Sequence, residues 1–309
     1  MEKQSKIYVA GHSGMVGSAI VRQLQRQGYE NLVLRTHKEL DLCSQAETET
    51  FFAEEKPDYV FAAAGLVGGI QANSEAPADY FLENMFIANH LIASAYRHGV
   101  KKLLYLGSAC MYPKDCSQPM TEELLLTGLP ESTNEGYALA KICGSRLCGY
   151  MNRQYGTNFI SAVPANAYGI KDCTDPGKSH VIPALFLKFR QAKQNGESYV
   201  KLWGTGAALR EFLYADDLAD AAIFLMNHYS GSEAINIGSG REISVLKLAK
   251  LIQQIVGYKG TIIWDLSKSD GMKRRLLDNR KIAALGWEPG VSLEDGLRQV
   301  DEWLLANEF

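Results

Sequence analysis

Tyr137 and Lys141 stand four residues apart in the run NEGYALAK. On a helix that spacing puts both side chains on one face. An ammonium beside a phenol stabilises the phenolate and lowers the phenol pKa from about 10, so the pair can exchange a proton with a carbonyl that is gaining a hydride. The lysine can also hold a ribose hydroxyl. Ser108, in YLGSAC, ends a strand-like run and is placed to hydrogen-bond the same carbonyl oxygen. Tyr-x-x-x-Lys alone arises often by chance, and its weight comes from what surrounds it.

GHSGMVG places Gly11, Gly14 and Gly17 directly after the first strand pattern and at the start of a helix pattern, with His12, Ser13, Met15 and Val16 between them. Glycines at such a junction permit a tight turn, let the backbone approach a pyrophosphate and allow close packing of helix on strand. The helix N-terminus adds N–H donors and positive potential. The segment predicts a dinucleotide site. A site that prefers NAD usually ends its second strand in Asp or Glu, which accepts from the ribose hydroxyls. Here the second strand runs into Arg35, Thr36, His37 and Lys38. Cations can pair with a 2′-phosphate that an acid would repel, so Arg35, His37 and Lys38 are the candidates for holding NADP(H).

These groups need a scaffold, and the chain supplies strand candidates at residues 6–11, 31–35, 58–65, 101–109 and 158–166. Between them, apolar residues recur at helix-face spacing: Val16, Ile20 and Leu24; Met85, Ile87, Leu91 and Ile92; and residues 138–147. Strand, helix, strand repetition predicts an α/β, Rossmann-like, doubly wound parallel sheet. Strands such as VFAAAG do not alternate with polar residues, as expected where helices cover both faces. After about residue 166 the pattern loosens into the turn-rich NAYGIKDCTDPGKSH, then a helix candidate at 181–194. Residues 210–228 and 234–240 read as a helix and a strand that rejoin the first sheet. Helices near 245–256 and 292–305 complete a smaller α/β part. The expected division is a dinucleotide-binding domain over 1–165, rejoined by 210–240, and a mainly substrate-binding domain over 166–309.

Composition narrows the partners. Lys plus Arg total 32 against 35 Asp plus Glu, a net charge of −3, so the electrostatic footprint of a nucleic-acid binder is missing and a small molecule is the expected partner. The apolar run 59–70 is too short for a membrane helix, which needs about 18 or more residues. Only a short apolar run precedes Gly11, which predicts no secretory signal and a cytoplasmic location. Six cysteines without a C-x-x-C pair predict free thiols and no metal site.

The glycine turn, the strand-end serine and Tyr-x-x-x-Lys together resemble the extended short-chain dehydrogenase/reductase superfamily. Within it, AGHSGMVGSAI, LVGGIQAN, LGSACMYP, NEGYALAK, NRQYGTNF, NAYG, SHVIPAL, WGTG, REFLYADDLADA and INIGSG resemble the GDP-L-fucose synthase family, in register from residue 6 to about 305. The resemblance implies NADPH-dependent 3,5-epimerisation and 4-keto reduction of GDP-4-keto-6-deoxy-D-mannose, and a cytoplasmic homodimer built on helices that flank the sheet.

By residue type alone Cys110 reads as a small buried hydrophobe and His180 as a loop histidine capping a neighbour. The resemblance implies instead that they are the base and acid of the epimerisation, with Ser108, Tyr137 and Lys141 serving the reduction. It extends the cofactor set to Asp41, Leu42, Leu106, Gly107, Ser108, Lys141, Pro164, Asn166, Ala167 and His180. For the substrate it implies Asn166, Lys188, Trp203, Arg210 and Asp270, with Arg210 on the diphosphate. Trp203 would be a wall near base or sugar, although its type fits a core residue equally. Lys273, Arg274 and Arg275 read as a solvated basic face. Ser13 and His37 stand where relatives carry arginine, Lys188 replaces an arginine fork with a point charge, and Ala109 stands where serine is common.

Three other readings bear on these residues. A sugar-nucleotide 4,6-dehydratase or 4-epimerase would recycle a bound NAD(H), against which the basic second-strand end and the pair Cys110 and His180 both speak. A GDP-sugar epimerase/reductase for colitose or heptose would share every residue named. A fold that only senses NADP(H) has no use for Tyr137 and Lys141.

Overall fold

The computed structural model describes residues 1–175, 179–268 and 270–307. Its first half alternates strand and helix through β1 (Ile7–Ala10), α1 (Met15–Arg26), β2 (Leu32–Val33), α2 (Gln45–Glu55) and β3 (Tyr59–Ala62). It continues with α3 (Ile70–Glu75), α4 (Pro77–Arg97), β4 (Lys102–Leu106), α5 (Glu135–Tyr155) and β5 (Phe159–Pro164). The second half supplies β6 (Asn166–Tyr168), α6 (Val181–Gln194), β7 (Tyr199–Trp203), β8 (Leu209–Tyr214), α7 (Ala215–His228) and β9 (Ile235–Ile237). After these come β10 (Glu242–Ser244), α8 (Val245–Val256), β11 (Thr261–Asp265), β12 (Arg274–Arg275), α9 (Arg280–Ala284) and α10 (Leu293–Ala306).

Six strands pair in parallel in the order β2-β1-β3-β4-β5-β9, the doubly wound sheet that the sequence predicts. Alternate residues of each strand feed two apolar layers. Ile7 and Val9 join Phe61, Leu104 and Ile160 under α1 and α7, whereas Tyr8 and Ala10 join Val60, Leu103 and Tyr105 under α2 and α4. Because both faces are covered, β1, β3 and β4 are buried throughout. Each large side chain so buried contributes about 1.5–3 kcal/mol. Chain order reverses between β1 and β3, since β2 lies on one side and β3 on the other, and a crevice forms beyond their C-terminal ends.

The second half builds its own apolar cluster from α6, α8 and α10, with Phe212 and Tyr214 of β8. There β8 pairs in parallel with β6 and β12 and antiparallel with β10, while β7 and β11 form a two-stranded ribbon. Residues 210–214, which the sequence reads as part of a helix, are strand. The largely apolar run EFLY ends in an extended N-cap at Tyr214, and only Ala215 starts the helix. The chain returns to the large sheet with α7 and β9. No helix among the described residues is long and apolar enough to cross a membrane.

Candidate active site

Gly11 leaves β1 at φ +77°, where side chains are strained, and a Cβ there would stand 2.8 Å from the Ala63 carbonyl oxygen. At Gly17 the clash is tighter, 2.1 Å from the Gly11 carbonyl oxygen. Both glycines are needed to make the turn and seat α1. Gly14, the N-cap of α1, differs: its nearest protein neighbour would be 3.5 Å away, so its missing side chain leaves the first N–H groups of α1 open to a ligand.

A cavity of about 260 Å³ opens here, and Gly11, Ser13, Gly14, Arg35, His37, Asp41 and Leu42 all face it. Sequence reading missed Cys43, Glu83 and residues 63–65, which complete its walls; they follow no motif and come from the segment before α2, from α4 and from the end of β3. His12 Nδ1 is buried on the turn without a partner. An anion cradle that a Cβ would fill, beside an unspent buried ring nitrogen, fits a dinucleotide diphosphate. The basic end of β2 is less free than its composition predicts. Arg35 pairs with Glu55 at 2.5 Å and lies over the Phe51 ring. His37 is exposed, 3.8 Å from Asp41, and Lys38 points into solvent.

Deeper in the crevice, α5 carries Tyr137 and Lys141 on one face, with the ammonium 5.8 Å from the phenol ring. Lys141 Nζ is buried and donates to the Leu106 carbonyl at 3.0 Å. Gly107 admits no side chain, because a Cβ would press on Met111 Sδ at 2.7 Å. The next residue, Ser108, caps a short 3-10 turn (Ala109–Met111), accepting from the Cys110 N–H at 3.2 Å. Here an expectation is overturned. Burial pushes the Tyr137 phenol well above its ordinary range, the nearby Cys110 sulphur adds to this, and only the Ser108 hydroxyl works the other way. Burial also brings Lys141 down to about 8. Desolvation is the largest cause at both groups, so the phenol is held protonated, ready to give a proton rather than take one.

His180 is the N-cap of α6, and burial lowers its pKa. Among the described residues no hydrogen bond joins it to Cys110 or Tyr137. Pro164 ends β5, and Asn166 on β6 donates to the Glu211 carbonyl at 2.8 Å, with Ala167 beside it against the core. Lys188 of α6 and Trp203 at the end of β7 meet at 5.8 Å. Trp203 is 56% exposed, which removes the reading as a core residue. Arg210, brought down to about 10 by burial and by Arg275, donates to the Asp270 carbonyl at 3.2 Å. The Asp270 carboxylate is spent on Thr205, accepting from its N–H at 2.7 Å and its hydroxyl at 2.6 Å, so it shapes the 204–206 loop.

The basic run 273–275 is not uniformly solvated. Arg274 pairs with Glu242 at 2.7 Å and Lys273 is exposed, but Arg275 turns inward on β12 and donates to Cys110 Sγ at 3.4 Å. Asn134, just before α5, donates to the same sulphur at 3.0 Å. Alternation along a strand was the available signal, since one of two adjacent arginines must face in.

Residues 7–238 match the family model described as the NAD dependent epimerase/dehydratase family. GDP-L-fucose synthase 1 of Arabidopsis thaliana is 54% identical over 99% of this chain and 95% of its own length. GDP-L-fucose synthase of Escherichia coli is 46% identical over 100% of this chain and 98% of its own. Among solved structures, a GDP-6-OMe-4-keto-L-xylo-heptose reductase from C. jejuni superimposes with a TM-score of 0.95 at 39% identity, covering 99% of both chains. A GDP-L-fucose synthetase from Naegleria fowleri bound to NADP gives 0.93 at 28% identity, covering 100% of this chain and 95% of its own.

Proposed function

The chain belongs to the NAD dependent epimerase/dehydratase family, and on that premise we propose that it converts GDP-4-keto-6-deoxy-D-mannose to GDP-L-fucose with NADPH, by epimerisation at C3 and C5 followed by reduction of the 4-ketone. The observation that carries this reading is the meeting of two proton-transfer groups of different kinds at one place. Cys110 lies close enough to Tyr137 to raise the phenol's pKa, and a plain ketone reduction needs only the phenol.

The turn at Gly11–Gly17 and the N-terminus of α1 would hold the cofactor diphosphate, Lys141 a ribose, and Arg35 with His37 the 2′-phosphate. When bound, the reduced nicotinamide supplies the hydride. Cys110 Sγ, as thiolate, takes the proton from the carbon next to the ketone: the C–H bond breaks, an S–H bond forms, and the electron pair moves onto O4. His180 returns a proton to the opposite face, and the burial that lowers its pKa makes its imidazolium the stronger acid. Ser108 hydrogen-bonds O4 through both steps. Tyr137, kept protonated by its surroundings, gives O4 its proton as the ketone becomes an alcohol. Arg210 and Lys188 face the GDP diphosphate and Trp203 the base or sugar. The enzyme works as a cytoplasmic homodimer joined along α4 and α5, where Leu82, Phe86, Leu139 and Tyr150 present an apolar strip to solvent. A C4 reduction of a GDP-heptose is the second reading, favoured by the superposition reported above.

Incubation with NADPH and GDP-4-keto-6-deoxy-D-mannose, with the product identified by NMR, tests the first reading against the second. Formation of GDP-L-fucose is expected, and a 6-deoxy-D-sugar without inversion overturns the epimerase assignment. Tyr137→Phe should abolish reduction while deuterium still enters C3 and C5. Cys110→Ser should stop that exchange. Loss of both steps in the tyrosine variant would refute the division of labour.

A further inference from the structure

Among the described residues no carboxylate pairs with Arg275. Its Nη1 donates to Cys110 Sγ at 3.4 Å and its Nη2 to Met272 Sδ at 2.8 Å, while its Nε is buried without a partner. A half-buried guanidinium is normally matched by an anion, and here its hydrogen-bonding partners are two sulphur atoms. Only one of them, the thiol, can become an anion. From the other side Asn134 Nδ2 reaches the same sulphur at 3.0 Å. Two donors on one sulphur favour the form that accepts two hydrogen bonds, which is the thiolate.

We propose that Arg275 and Asn134 form a cradle that holds Cys110 as the thiolate and aims it, and so act as positioning residues for the epimerisation. The proposal rests on the reading of Cys110 as the base given above. Three distant pieces of chain make the cradle: the 3-10 turn after β4, the residue preceding α5, and β12, which is fixed to β8 in parallel register with Arg275 opposite Arg210. The other groups that face the sulphur or the guanidinium are few. The Tyr137 phenol approaches from α5. Arg210 stands beside Arg275 on β8 and feels its charge. The Cys116 thiol, raised by burial, is pulled back by Arg275. Asp270, whose charge reaches Arg210, is spent on Thr205. Arg275 transfers no proton itself. The proton lost when the thiolate forms goes to solvent, and the one taken from carbon resides on sulphur until water removes it.

The test follows the rate of iodoacetamide alkylation at Cys110, read by peptide mass spectrometry from pH 5.5 to 9.5 on the full-length protein without substrate. Arg275→Met should move the half-maximal pH upward by about one unit or more and lower the rate at pH 7 about tenfold. Arg275→Lys should restore part of the shift, since it keeps charge but not the fork. Deuterium entry into C3 and C5 should fall about tenfold in kcat. A profile that does not move in Arg275→Met, with KM raised instead, assigns Arg275 to the diphosphate and overturns the proposal. If Arg275→Met does not fold, Arg275→Gln and Asn134→Ala carry the same measurement, and an unmoved profile in both is equally decisive against it. Cys110→Ser separates the two levels. Undiminished exchange in that variant removes Cys110 as the base, whereas lost exchange with an unmoved Arg275 profile leaves the base standing and removes the cradle.

Discussion

Around Gly11–Gly17 the crevice is made of backbone, and around Cys110 it is made of side chains from far apart in the chain. The first region works by what is missing: no Cβ at Gly11 or Gly17, and open N–H groups beyond Gly14. The second works by what is anchored. Glu211, almost wholly buried on β8, accepts from the Gly240 N–H at 2.7 Å, the Leu277 N–H at 2.9 Å and Asn279 at 3.4 Å. It thereby ties the strand that carries Arg210 to the segment just after Arg275. The two regions should therefore fail in opposite ways, one when an atom is added and the other when an anchor is removed.

The largest expected effect comes from adding a single methyl. In Gly17→Ala the new Cβ meets the Gly11 carbonyl at 2.1 Å, and since backbone cannot turn aside, α1 must shift from its place over β1. Overpacking of that kind costs roughly 1–3 kcal/mol, and the same shift moves the N–H groups meant for the diphosphate. Titration should show NADPH affinity lowered about a hundredfold, close to 2.7 kcal/mol. Gly14→Ala should leave the melting temperature unchanged, because its Cβ meets only an ordinary contact, yet weaken NADPH. A loss of stability at Gly14 equal to that at Gly17 would show that both glycines serve folding alone.

Next comes the anchor. Glu211→Ala strands two backbone N–H groups, each costing about 1–3 kcal/mol when left buried and unpaired. With both near the lower end of that range, a total near 2 kcal/mol corresponds to a fall in Tm of about 3 °C for a chain of this size. GDP-sugar affinity should fall about tenfold while NADPH affinity stays within about threefold, and an equal loss of both ligands would erase the contrast between the regions.

A smaller effect links the two regions through Lys141. Its ammonium, brought down to about 8 by burial, is charged below that pH and neutral above it, so whatever the charge supports is present at low pH and lost as pH rises. The reduction rate should decline past a midpoint near pH 8. A midpoint at 10 or above would mean that desolvation does not govern this lysine once its ligands are in place.

The same contrast explains what could be read from the letters. GHSGMVG, Tyr137 with Lys141, and the helix at 181–194 depend on neighbours within a turn or two, and they lie in the structure where their spacing puts them. Contacts across the fold leave no such trace. Arg275 reaches Cys110 over 165 residues, and one arginine in a basic run looks like the next until a strand assigns each a face. Asp270 looks like a ligand residue until Thr205 is found holding it. The four-residue spacing predicts an acidified phenol beside the ammonium of Lys141, and the depth of α5, invisible in that spacing, reverses the sign.

Arg35 is where the two kinds of construction meet, and it yields the smallest effect and the finest test. The residue belongs to the backbone-built region by position, yet its guanidinium is held by Glu55, twenty residues on, at 2.5 Å. In this arrangement a 2′-phosphate competes with a carboxylate for the same fork, and the carboxylate also repels the phosphate. Both partners keep a quarter or more of their side-chain surface in water, so the pair is worth only about 0.2–1 kcal/mol. Glu55→Gln should free Arg35 and raise the preference for NADPH over NADH by no more than about fivefold, measured as the ratio of kcat/KM values at fixed ionic strength, with the gain shrinking as salt is added. An unchanged ratio would mean that Arg35 is structural, bracing α2 against the end of β2, and that His37 and Lys38 carry the discrimination between the two cofactors.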